Sequence, residues 1–157
     1  ESNNNFIKDV IIDTDFEILF PNSYISKVNE RLILYTKLSK LNNDEELIKF
    51  EKELQDKYGF LPVESVDLLK SVRLKWKAQK LGFEKIVIKK SKMLCYFIFD
   101  KNNSFFESVV FKNIMSNIQK FENCELREKN KLYLVFEKIE SIDQAIQNLN
   151  RFEFIDY

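Results

Sequence analysis

The chain has 157 residues, 45% of them hydrophobic and 32% charged, enough to build the core of one domain or two very small ones. Lys plus Arg balances Asp plus Glu at 25 each, so no global field draws the chain to nucleic acid or an acidic membrane, and any electrostatic recognition must be local. With no histidine and only two glycines it cannot carry a His-dependent triad, a histidine metal site or a glycine-rich phosphate loop.

Residues 1–9 are polar and predict a disordered start. The first residue is Glu, and no signal-peptide pattern follows, so a segment of a longer protein is expected. "VIIDTDFEI" (10–18) alternates as a strand does. Between 27 and 40, Val28, Leu32, Tyr35 and Leu38 recur on one helical face. Asn43 is a good N-cap with Glu46 at the capping-box position, and the helix it opens buries Leu47, Phe50, Leu54 and Tyr58 before Gly59 stops it. Pro62 starts a third helix that runs to Leu81, with Gly82 as its stop. Leu68, Leu69, Val72 and Trp76 lie on one side of it, and Val63, Leu74, Ala78 and Leu81 on the other. A helix apolar on two sides is expected at the centre, with Trp76 anchoring the core.

The period then changes. "EKIVIKK" and "MLCYFIF" read as two strands joined at Lys-Ser-Lys. "SFFE" reads as a capping box, Ser104 with Glu107, opening a helix that carries Val110, Phe111, Ile114, Ile118 and Phe121. "CELREKNKLYLVFEK" is a second hairpin turning at Lys129–Asn130. Ser141 and Gln144 cap a last helix, with Ile142, Ile146, Leu149 and Phe152 inward. The expected fold is α+β, in the order β-ααα-ββα-ββα, as a single compact domain over 1–157. Residues 10–83 form its strand and helical part, and 84–157 its ββαββα part. The two ββα units repeat in pattern, not in residue identity. The fifteen phenylalanines fall mostly at core positions. No run of about 18 apolar residues predicts a membrane span. Cys95 and Cys124, in apolar alternating segments, read as buried free thiols; no zinc ligand set, other metal site or cofactor is expected.

Two charged constellations remain. Glu53 and Asp56, three apart on the polar face of the second helix, put two carboxylates side by side. Acid/base work would need burial or repulsion to drive their pKa values apart, whereas Lys49, Lys52 and Lys57 stand beside them. A solvated face or a docking patch for arginines fits better, since a carboxylate accepts a bidentate guanidinium well. On the third helix Lys70, Arg73, Lys77 and Lys80 are spaced 3, 4 and 3 apart, one stripe that could track a phosphate backbone or face a partner.

Residues 21–86 carry a set of ordered motifs: Pro21 with Tyr24 and Ile25; Arg31, Leu32, Tyr35 and Leu38; and Glu45, Glu46 and Leu47. The junction follows, Glu53, Leu54, Asp56, Lys57, Tyr58, Gly59, Leu61 and Pro62, then Ala78, Lys80, Leu81, Gly82 and Phe83. This stretch resembles the C-terminal domain of the bacterial transcription-repair coupling factors; residues 87–157 match it only in general pattern. Lys57 and Tyr58 stand where the family has Arg and Phe, keeping charge and aromaticity. The resemblance implies a parent that is an ATP-dependent DNA translocase acting on stalled RNA polymerase and recruiting excision repair in the bacterial cytoplasm. The ATPase motifs lie upstream, so this domain is expected to be non-catalytic and free of cofactor, with DNA contacted through the parent. It implies a lid that packs on the parent's N-terminal module and hides the surface for the damage-recognition ATPase UvrA, with Glu53 and Asp56 pairing with arginines. The rival expectation is a nucleic-acid-binding accessory domain using the stripe of the third helix.

Overall fold

The computed structural model describes residues 6–7 and 9–152. A short strand, Ile11–Thr14 (β1), precedes three helices, Val28–Ser39 (α1), Asp44–Tyr58 (α2) and Val63–Leu81 (α3). Strands Phe83–Lys89 (β2) and Lys92–Phe97 (β3), helix Val109–Asn117 (α4), strands Cys124–Lys129 (β4) and Lys131–Glu137 (β5), and helix Ile142–Asn150 (α5) complete the order. The α+β class and the expected β-ααα-ββα-ββα order are observed, with 3-10 turns added at Ser104–Glu107 and Ile118–Lys120. Of the start at 1–9, residues 1–5 and 8 lie outside the described residues; Ile7 is buried, and the Phe6 ring lies 5.4 Å from that of Phe105.

The chain separates into two compact units, Glu17–Arg73 and the remaining described residues, with α3 contributing its first part to one and its second to the other. In the sheet unit the strands run in the order β1-β2-β3-β5-β4, with β1 parallel to β2 and the other pairs antiparallel. Lys90 and Ser91 both take positive φ, 53° and 63°, the mirror-image turn that suits the twist of paired strands, and so fix the β2–β3 register. Strand alternation then puts Ile86, Ile88, Met93, Cys95, Phe97, Leu134 and Phe136 on one face, all fully enclosed. On that face the Phe97 ring lies 5.5 Å from Phe111 of α4, and Phe136 lies 6.3 Å from Phe152, which follows α5.

The helix before this sheet can only end at glycine. Gly82 has φ 80°, and a Cβ there would fall 2.1 Å from the Phe105 ring. The start of α4 departs from expectation. Ser104 opens only the 3-10 turn, which is capped by Asn103 accepting from Phe105 N–H at 2.9 Å. The α-helix proper begins at Val109, and its cap is Ser108, whose Oγ accepts from Phe111 N–H at 3.2 Å. Two successive caps compete for one stretch, and the one adjoining the longer apolar period starts the helix. At α5 the expected cap holds: Ser141 accepts from Gln144 N–H at 3.1 Å, and Gln144 accepts in return from Glu140 N–H at 2.7 Å.

In the helical unit, Asn43 accepts from Glu46 N–H at 2.9 Å, and the Glu46 carboxylate reaches back to Asn42 N–H at 2.8 Å. Leu47, Phe50 and Leu54 are buried, as the stripe predicts, while Tyr58 at its end is half-buried. On α1 the expected face is only half right. Leu38 is buried and the Tyr35 hydroxyl accepts from Phe20 N–H at 2.7 Å, but Val28 and Leu32 are 58% and 57% exposed. Trp76 is half-buried and not fully enclosed. It stands two residues, about 200° of helix rotation, from Leu74, which with Ala78 and Leu81 takes the deepest positions.

Candidate docking site

The period of α2 decides where its carboxylates point. With Phe50 and Leu54 each 2% exposed on the inner face, Glu53 and Asp56 fall outward, and both are exposed. The end of the helix beneath them is pinned. Tyr58 donates from its hydroxyl to Glu30 Oε2 at 2.9 Å, its ring lies 5.9 Å from that of Tyr24, and the Tyr24 hydroxyl donates to the Gly59 carbonyl at 2.7 Å. Gly59 itself, at φ 87°, turns the chain toward Pro62. The acidic pair thus sits on a rigid turn of helix next to a fixed junction.

Glu53 has a neighbour that sequence spacing does not reveal. Lys37 of α1 donates to Glu53 Oε2 at 3.0 Å, the two side chains being 54% and 48% exposed. That hydrogen bond first, then the charge of Lys37 and, more weakly, that of Lys49, lower the Glu53 pKa. A general acid needs the opposite shift, so Glu53 is placed to stay ionised. An exposed ion pair of this kind contributes little to stability and exchanges readily. Asp56 has no ion-pair partner among the described residues. Leu34, Phe50, Leu54 and Tyr58, with Lys37, Glu53 and Lys57, line a groove of about 190 Å³ between α1 and α2. The surface carboxylates are acceptors for a guanidinium, and the groove beside Glu53 offers apolar side chains together with Lys37 and Lys57. Among the described residues no three His, Cys, Asp or Glu side chains group to hold a metal ion.

The α3 cations are not brought together as one free stripe. Arg73 is committed to Asp44, Nε to Oδ1 at 2.6 Å, tying α3 to the first turn of α2. Lys70 and Lys77 are half-buried and neither is without a partner; Lys80 alone of the four is exposed. Lys70 and Arg73 belong to the helical unit, Lys77 and Lys80 to the sheet unit. Also unanticipated are the exposed apolar residues of α1, Val28, Leu32 and Ile33, and Phe60, which is 91% exposed.

Residues 14–109 match the profile of the TRCF domain family. The chain is 32% identical over 115 residues to a transcription-repair-coupling factor of Buchnera aphidicola subsp. Baizongia pistaciae, covering 72% of this chain and 15% of that protein. It is 33% identical over 75 residues to that of Rickettsia prowazekii, covering 48% of this chain and 7% of the relative. The chain therefore spans a small fraction of the length of these relatives. Its fold is similar to the crystal structure of a C-terminal domain of transcription-repair coupling factor, with a TM-score of 0.73 and 19% identity, covering 92% of this chain and 89% of that one.

Proposed function

Because the chain belongs to the transcription-repair coupling factor family, as the C-terminal domain, we propose that it is a non-catalytic regulatory lid within its parent. It docks through Glu53 and Asp56 on the parent's N-terminal module and covers the surface that UvrA would bind. The observation that carries this reading is the exposed pair itself. Two exposed carboxylates stand at the family's junction motif, and Glu53, held ionised by an exchangeable lysine, borders the groove between α1 and α2. RNA polymerase and DNA are met by the parent, an ATP-dependent translocase of the bacterial cytoplasm. Among the described residues no helix is long and apolar enough to cross a membrane. The α3 stripe supports a nucleic-acid role less well, since of its four cations only Lys80 is exposed.

The test is Glu53→Arg with Asp56→Arg in the full-length parent, read by UvrA affinity and by proteolytic exposure of the N-terminal module. Affinity should rise about tenfold or more, the range of ordinary site-to-site coupling. Unchanged affinity in a folded variant overturns the lid.

A further inference from the structure

The sheet face turned away from α4 and α5 carries a pattern that the proposed function does not use. Strand register places Lys85 opposite Tyr96, Tyr96 opposite Tyr133, and Tyr133 opposite Arg127. These four residues form one row across β2, β3, β5 and β4, roughly 14 Å long at the usual strand spacing. Two aromatic rings occupy its centre and a cation each end. The tyrosine rings lie 5.1 Å apart at 33°. Both residues are half-buried; neither hydroxyl has a hydrogen-bond partner among the described residues, and neither is a buried unsatisfied atom, so both reach solvent.

The charge on this row is one-sided. Lys131 holds its ammonium 5.8 Å from the Tyr96 ring centre and 5.5 Å from that of Phe99, itself 60% exposed. With Lys85, Arg127 and Lys129, four cations surround the rings; the carboxylates near them are Glu125, Glu137, whose charge reaches Arg127, and Glu128, which borders Phe99 and Lys131 and is engaged by Lys101 at 2.9 Å. Glu125 pairs with Arg127 at 2.7 Å with both side chains well exposed, a contact weak enough to be exchanged. Asp13 and Glu137, also on this face, are engaged by Lys89 and Lys92 at 3.0 and 3.5 Å.

From this geometry we propose that the row binds single-stranded nucleic acid, bases stacking on Tyr96 and Tyr133 and phosphates meeting Lys85, Arg127, Lys129 and Lys131. Every base has a π-face, so such a platform is tolerant of sequence, and a positive border follows the backbone. A duplex hides its base faces and cannot use the rings.

The experiment is fluorescence anisotropy of the chain with labelled oligothymidylate and oligouridylate of about 15 nucleotides, against a duplex of equal length, over a range of salt. Saturable binding to one or both single strands in preference to duplex is expected; the two probes distinguish DNA from RNA. Tyr96→Ala and Tyr133→Ala should each weaken binding about fivefold to a hundredfold, while Tyr96→Phe and Tyr133→Phe retain it. Should an alanine variant misfold by circular dichroism, Tyr96→Leu and Tyr133→Leu keep apolar bulk without the ring and should weaken binding likewise. Lys131→Glu should lower the salt slope by about 0.7 or more for a lost phosphate contact. Absence of binding by the folded chain overturns the proposal. So does binding that removal of both rings leaves unchanged, which would assign the cations to duplex or to an acidic protein segment.

Discussion

Gly82 shows how much one residue decides. Its φ of 80° disfavours a side chain, and the Phe105 ring occupies the space where a Cβ would sit. Gly82→Ala should therefore lower stability by about 2–5 kcal/mol in urea unfolding, adding left-handed strain to overpacking. Gly59 has similar φ, 87°, with ψ −170°, but open space around it, so Gly59→Ala should cost only the backbone strain, about 1–3 kcal/mol. The thiols follow burial in the same way. Burial pushes Cys124 up from an ordinary value near 9 to about 12, and raises the fully enclosed Cys95 as well. Native protein at pH 8 should resist iodoacetamide at both positions, with labelling appearing on denaturation, because the thiolate is the nucleophile. The sign for folding is fixed by the raised value: the stabilising contribution of protonated Cys124 is complete below pH 9 and is lost as pH climbs toward 12.

At the scale of elements, what the sequence made legible was local. Helix period, the glycine stops and the caps at Asn43 and Ser141 are each set by residues within four positions of one another, and the structure keeps them. The start of α4 departs from the expected Ser104 because Ser104 and Ser108 both sit before apolar runs, and spacing alone does not rank them. The difference is measurable: Ser108→Ala should cost about 1 kcal/mol by loss of the helix cap, whereas Ser104→Ala should leave stability nearly unchanged. On α1 the apolar positions at 28 and 32 suggested an inward face, yet Arg31 takes inward work instead, donating to the Ile25 carbonyl at 2.7 Å and tying down the chain before the helix. A guanidinium that caps carbonyls can replace an aliphatic contact, and hydrophobic period does not register it. The row of Lys85, Tyr96, Tyr133 and Arg127 was likewise invisible, because it exists only once four strands are in register.

Across the whole molecule, the acidic pair was legible as a pair but not as a balance of partners, since Lys37 lies sixteen residues from Glu53 on another helix. That lysine makes the proposed lid a competition. Under that proposal a bidentate arginine of the N-terminal module displaces Lys37 from Oε2 of Glu53, so the intramolecular bond at 3.0 Å opposes docking even while it keeps the carboxylate ionised. Removing the competitor should therefore act opposite to removing the carboxylate. Lys37→Met keeps the apolar stem over Phe50, where the ammonium now stands 5.9 Å from the ring centre, and deletes only the charge. In the full-length parent it should favour the closed state and weaken UvrA binding by up to about fivefold, the scale of an exposed ion pair. Glu53→Gln should strengthen UvrA binding, and with Glu53→Gln already present Lys37→Met should have no further effect, because the two act through one contact. The Lys37→Met effect should also shrink as salt screens the competing charge. If Lys37→Met instead leaves UvrA affinity unchanged or raises it, while the variant chain folds normally, then Glu53 is not the carboxylate that the partner module grips.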